Sequence, residues 1–195
     1  MDHNLISSFN AHLVEIASIT ENAWKDLLPL LVVKEYNPED VIVVKGQRNF
    51  DEIFVSQGII RAYYNSIEGH EANVVFYPED QVVAPWFTRN KKGVSLINLQ
   101  ALTKVCLIEF NAEKFGKLRY EHSSLMNYGN LIVEKELDYK TQREISFLTS
   151  TAEDRYLQFR QNYPSVENRI SQYHIASYLG ITPVSLSRIR KNINS

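Results

Sequence analysis

Residues 172–193 read QYHIASYLGITPVSLSRIRKNI, and the fold is decided by how this stretch is read. It reads as two short helices around a tight turn. Ser171 suits the cap of the first, because a side-chain oxygen satisfies free amides of the opening turn. Ile175, Ala176 and Leu179 then share one face. Gly180 stands where a helix end calls for a left-handed residue. Thr182 can cap the second helix, and Pro183 suits its first position, where its missing N–H goes unmissed. Leu186, Ile189 and Ile193 recur at i, i+3 and i+7 as an inward face, leaving Val184, Ser185, Arg188 and Lys191 outward. The spacing of Gln172, Ala176, Gly180, Leu186 and Ile189 fits a helix-turn-helix, whose second helix enters a DNA major groove.

Charge supports the reading through its distribution. The 195-residue chain carries a formal charge of −2. Residues 151–195 hold six basic residues against three acidic ones (Glu153, Asp154 and Glu167). A small basic tail on an acidic body is the footprint of a nucleic-acid module. Cys106 is the one cysteine, which excludes a disulfide framework and a cysteine-held metal or iron–sulfur centre. The first residues lack the basic start and apolar core of a signal peptide. No apolar run reaches the length of a membrane helix. A cytoplasmic protein with no membrane partner is expected.

Upstream, residues 4–30 repeat apolar side chains at helical spacing, and Thr20 suits a second helix cap. From residue 32 to 110 the texture changes to eight short runs rich in Val, Ile, Phe and Tyr: LVVKEY, DVIVVKG, DEIFVSQG, IIRAYYN, ANVVFY, QVVA, VSLINLQAL and KVCLIEF. Turn residues separate them, so a small β-barrel or jelly roll is expected. Residues 111–148 contain no proline and read as one long helix. Leu118, Leu125, Ile132 and Tyr139 recur every seven residues, and a second stripe holds Met126, Val133 and Leu137. A twin helix in a dimer would cover such a surface. Thr149-Ser150-Thr151 marks a hinge. The expected division is 1–110 for the roll with its N-terminal helices, 111–148 for the dimerisation helix and 149–195 for the DNA-binding unit, an α+β chain.

This order of parts resembles the Crp/Fnr family of bacterial transcription regulators. VVKGQRNFDEIFVSQGIIRAYY and ISQYHIASYLGITPVSLSRIRK carry the resemblance most specifically. It implies a cyclic-nucleotide-binding-like β-roll, a dimerising helix and a winged helix-turn-helix. It also implies a homodimer on palindromic double-stranded DNA, with RNA polymerase as a partner and no enzymatic activity. A small ligand often controls such proteins. Members that bind cyclic AMP carry Gly-Glu and Arg-Ser or Arg-Thr pairs for the ribose and phosphate. Here those positions fall on about Val83-Ala84 and Ser95-Leu96, so cyclic AMP is not expected to bind. Of the intervening loop's cations, Arg89, Lys91 and Lys92, all can be read as solvated. Tyr63, Phe76, Trp86 and Tyr139 are candidates to line any remaining pocket, whose ligand is open. No cofactor or metal is expected: the five histidines are scattered, and a metal enzyme in a cupin-like roll would need a histidine cluster where only His70 stands.

For DNA, Arg188 is the candidate for a bidentate contact with guanine. Thr182 and Ser185 are placed for phosphate or base edges. Gln172 and His174 are candidates for phosphate, as are Arg190, Lys191 and Arg169. The resemblance puts a cytosine-reading glutamate where this chain has Val184, which can touch a thymine methyl instead. With the chain stopping two residues after Ile193, any wing is expected around residues 165–170. A degenerate helix-turn-helix on a ligand-binding or protein-interaction module is the alternative reading.

Overall fold

The structure is a computed structural model that describes residues 2–66, 69–83 and 88–193. Ala84 and Trp86, both expected at a ligand pocket, lie outside the described residues.

Two N-terminal helices, α1 (Asp2–Ala17) and α2 (Glu21–Leu27), precede a short 3-10 turn (Leu28–Leu30). Thr20 caps α2 by accepting from the Ala23 amide at 3.3 Å. All eight expected runs form strands: β1 (Val32–Tyr36), β2 (Val41–Val43), β3 (Asp51–Gln57), β4 (Ile60–Asn65), β5 (Glu71–Tyr77), β6 (Gln81–Val83), β7 (Asn98–Ala101) and β8 (Val105–Asn111). They make two four-stranded antiparallel sheets, ordered β1-β8-β3-β6 and β2-β7-β4-β5. Alternation along the strands sends one set of side chains between the sheets. Val55, Ile60, Ala62, Leu99, Val105 and Leu107 are wholly buried there. The outer face of the first sheet buries Phe54 and Ile108 under α1, where Phe9 stacks at 4.6 Å from Phe54.

The long helix is two helices, which corrects the expectation of one. α3 (Ala112–Glu121) and α4 (Ser123–Thr149) meet at His122, whose backbone is extended (φ −125°, ψ 109°). His122 Nε2 lies 2.8 Å from Asp26 of α2. This contact, distant in sequence, pins the break where no proline forces one. The heptad expected to face a twin faces its own chain. Leu125 is fully buried beneath α1, and Leu118 and Ile132 pack beside it. Tyr139 packs against the roll and the C-terminal helices. Outward on α4 stand Leu137, Ile145 and Leu148, the last 80% exposed.

α4 ends at Thr149, within the Thr149-Ser150-Thr151 stretch. Thr151 and Asp154 form a reciprocal capping box that starts α5 (Ala152–Asn162). Successive turns then lead to α6 (Gln172–Leu179) and α7 (Pro183–Ile193). Residues 165–170 contain no strand. The expected wing is therefore replaced by turns, and the unit is a helix-turn-helix without a β-wing among the described residues. No described helix is long and apolar enough to cross a membrane.

Candidate nucleic-acid interface

The turn between α6 and α7 is built as the sequence reading has it. Ser171 caps α6 by accepting from the Tyr173 amide at 3.2 Å. Gly180 closes it at φ +69°, ψ 33°, and the Ile181 amide returns to the Ala176 carbonyl at 3.0 Å. Thr182 accepts from the Ser185 amide at 3.1 Å and so starts α7. Leu186 is fully buried against Ile175, Ala176 and Leu179, with Ile189 and Ile193 beside it. Burying one such leucine contributes about 1.5–3 kcal/mol, so the angle between the helices is held by packing.

That packing leaves an open outer face on α7. Val184 is 61% exposed, and Arg188 and Lys191 stand exposed on the same side. Thr182 is exposed at the helix start, Ser185 is half-buried beside it, and Gln172 is exposed at the start of α6. A guanidinium held out by one helix can meet guanine O6 and N7 in the fork geometry those acceptors present.

Three expected phosphate contacts are engaged elsewhere. His174 is turned toward the roll, where Asn73 Nδ2 donates to the His174 carbonyl at 3.0 Å and lies 3.4 Å from its Nδ1. Burial lowers the imidazole's pKa, and nearby Arg61 lowers it further, so neutral His174 adds no cation for phosphate. Arg169 makes two bonds with Glu79, at 2.9 and 2.6 Å. Arg190 turns back toward Glu167 at 3.6 Å, which Arg160 also meets at 3.2 Å. Local sequence leaves these side chains free to point outward, and only partners elsewhere in the chain show where they turn.

The partner of the helix pair is β5, an edge strand. Ser177 Oγ donates to the Glu71 carbonyl at 2.7 Å and accepts from the Asn73 amide at 3.1 Å. Arg143 of α4 donates to the carbonyls of Val74 (3.0 Å), Asn73 (3.2 Å) and Tyr178 (2.9 Å). An unpaired strand edge is a template for misassociation, and here the C-terminal unit covers it. Behind it lies Arg61, 2% exposed, bonded to Gln100, to Asn73 at 2.9 Å and to Glu71 at 2.5 Å. The sequence reading passes over Arg61, because an arginine in a strand reads as surface.

The candidate ligand residues disperse. Phe76 packs among Phe159, Tyr163 and Tyr178, so it belongs to the junction with the C-terminal unit. Tyr63 lies under the Arg61 guanidinium, 4.0 Å from the ring centre, on the opposite side of β4 from Ala62 and Tyr64. Arg89 turns to Glu52 at 3.1 Å and to the Asn49 and Asp51 carbonyls. Val83 is buried among the roll's apolar side chains, and Ser95 is buried with its hydroxyl engaged by the Thr88 and Ile97 carbonyls. Of the described members of the set, Tyr139 alone lines a cavity of about 230 Å³ between the roll and α4, and with Phe76 it also borders one of about 550 Å³ between β5, β6 and α4. The smaller cavity's other walls include Tyr64, Tyr77, Ile97, Glu136, Lys140 and Arg143. Burial raises the Glu136 carboxyl, and its Oε1 has no hydrogen-bond partner. Glu136 and Lys140 stand at i, i+4 on α4, the one local signal that could have found them. Among the described residues, no group of three or more His, Cys, Asp or Glu is placed to hold a metal ion.

No family model matches the sequence, and no curated protein matches it. Solved structures match over most of the chain. FixK2 from Bradyrhizobium japonicum is 15% identical with a TM-score of 0.73, covering 84% of each chain. The c-di-GMP-responsive global regulator CLP from Xanthomonas campestris is 13% identical with a TM-score of 0.71, covering 90% of this chain and 92% of that one. A CooA mutant from Carboxydothermus hydrogenoformans is 14% identical with a TM-score of 0.73, covering 93% of this chain and 84% of that one. At such identities the likeness is one of architecture: the chain has the fold of the Crp/Fnr transcription regulators, a β-roll and a long helix leading to a helix-turn-helix.

Proposed function

We propose that the chain is a homodimeric, DNA-binding transcription regulator of the Crp/Fnr type that reads a palindromic site through α7 and does not answer to cyclic AMP. The observation that carries this is the exposed outer face of α7, with Arg188, Val184 and Lys191 held out by a buried Leu186. A closed packing on the inside with an exposed cationic face outside is what groove entry needs. The architecture shared with solved regulators supports it. A gel-shift assay on genomic DNA fragments at several salt concentrations tests it. Specific shifts that weaken steeply with salt are expected, and salt-insensitive or absent binding rejects the proposal.

Dimerisation is assigned to the second apolar stripe of α4. Val133, Leu137 and Leu148 recur along one side, and the last two are exposed. Three residues committed to their own chain, His174, Arg169 and Arg190, favour the alternative of a helix-turn-helix that no longer reads DNA. The same assay separates the two readings. RNA polymerase is the partner through which bound regulator would act, and transcription in vitro with purified polymerase tests that step.

Independence from cyclic AMP rests on the residue types in the roll. Val83 and Ser95 supply neither the carboxylate for a ribose hydroxyl nor the guanidinium for a cyclic phosphate. Calorimetric titration should detect no binding at micromolar cyclic AMP, and a micromolar dissociation constant rejects this part.

A further inference from the structure

A further cavity, of about 750 Å³, lies apart from both the roll's interior and the helix-turn-helix. It opens between the loop around residues 89–93, the start of β3, and the break between α3 and α4. Its size is within the range of roughly 300–1,000 Å³ usual for small-ligand sites.

Two aromatic rings border it, Phe50 packed on Gly93 by part of its surface and Tyr120 almost wholly exposed. Phe50 is 46% exposed and Tyr120 is 87% exposed. The cations around it are poorly neutralised. Arg89 is held in place by Glu52 and by two backbone carbonyls. Among the described residues, Arg119 bonds to neutral acceptors, Asn130 Oδ1 at 3.2 Å and Met126 Sδ at 3.7 Å, its buried Nε has no hydrogen-bond partner, and it meets the Glu52 charge only through space. Lys91 stands exposed on the rim. Burial pushes the Glu52 carboxyl up to about 7 despite the pull of Arg89, so at neutral pH it is only partly ionised. Glu113 also lines the groove, its carboxylate 3.5 Å from Lys117. With Glu113 so paired and Glu52 only partly ionised, the two guanidinium groups and the ammonium keep an excess of positive charge.

We propose that this groove binds a small aromatic anion, a carboxylate or phosphate carrying a flat ring, with Arg119 and Lys91 meeting the negative group and Phe50 and Tyr120 holding the ring. A guanidinium pairs best with a planar or tetrahedral oxyanion, in bonds about twice as strong as neutral ones. Ring faces favour another flat ring, in offset or edge contact. A neutral ligand would leave the cations unbalanced, and a ringless anion would leave Phe50 and Tyr120 exposed.

Calorimetric titration of the full chain with benzoate, acetate, guanosine monophosphate and inorganic phosphate tests this. The ring-bearing anions should bind about tenfold more tightly than their ringless counterparts, and comparing the two ring-bearing probes tells carboxylate from phosphate. Arg119→Gln and Tyr120→Ala should each weaken that binding about fivefold or more, while Lys140→Gln, in the roll's cavity, leaves it unchanged. Tyr120 is so exposed that its removal spares the fold, which keeps the test decisive if the Arg119 variant misfolds. Ringless anions binding equally well, loss of binding through Lys140→Gln alone, or no binding by any probe overturns the proposal.

Discussion

Arg188 and Glu79 show how differently two charged side chains act in this chain. Arg188 is exposed on α7, and in the proposed function it discriminates between bases. Arg188→Ala should cost about 1–3 kcal/mol against the preferred site and flatten the ranking of site variants in competition binding. Lys191→Ala should instead weaken all sites alike and lower the salt slope by about one. If both variants behave alike, Arg188 is a phosphate contact and base readout lies elsewhere. Glu79 acts on structure. Two bonds from Arg169 and the Gly58 amide hold its carboxyl down, from an ordinary 4.5 to about 2. A depressed folded-state value means the contribution is complete above 4.5 and disappears as the pH falls through about 2. Both side chains are about one-third exposed, so solvent screening keeps the effect modest. Glu79→Gln should therefore lower the melting temperature slightly at pH 7, with the difference nearly gone near pH 2. A difference of equal size at both pH values would assign the effect to something other than this ion pair.

At the scale of elements, what could be read from the sequence was what is local. Eight strands are legible because each is a short run of β-branched and aromatic residues closed by turn residues. The helix-turn-helix is legible because its caps, its αL glycine and its buried stripe all lie within 23 residues of one another, from Ser171 to Ile193. The break at His122 is not legible, since its anchor is Asp26, 96 residues away. The same blindness hides what covers each stripe of α4. A heptad shows that a face is apolar without saying what covers it, and α1 covers Leu125. The two stripes now separate by experiment. Leu148→Glu, on the exposed stripe, should yield folded monomers in sedimentation analysis and abolish DNA binding. Leu125→Ala should lower stability by about 2–5 kcal/mol through the cavity it leaves, with the oligomeric state unchanged. Monomers from Leu125→Ala and dimers from Leu148→Glu would return the seam to the first stripe.

For the molecule as a whole, the roll and the helix-turn-helix are joined by more than the hinge. The joint has an apolar part, in which Phe76 enters among Phe159, Tyr163 and Tyr178. It has a polar part along β5, where Ser177, Asn73 and Arg61 form a continuous chain of bonds from α6 to the outer face of β4. Arg143 ties the two parts together. Its guanidinium bonds to carbonyls on β5 and α6 from α4, and lies 4.5 Å from the ring centres of both Phe147 and Tyr178. Hydrogen bonds from a charged donor contribute about 1.5–3 kcal/mol each, and removing the donor leaves buried carbonyls unpaired. Arg143→Leu keeps much of the stacking area while deleting every bond. If the joint makes the chain one cooperative unit, the native protein should melt in a single calorimetric transition, and the variant in two, the C-terminal unit first. Amides of α6 should then exchange with solvent faster than those of β7, since the local opening energy falls without touching the roll's core. A variant that still melts in one transition, with α6 protected as before, would show that Phe76 and its ring partners hold the joint unaided.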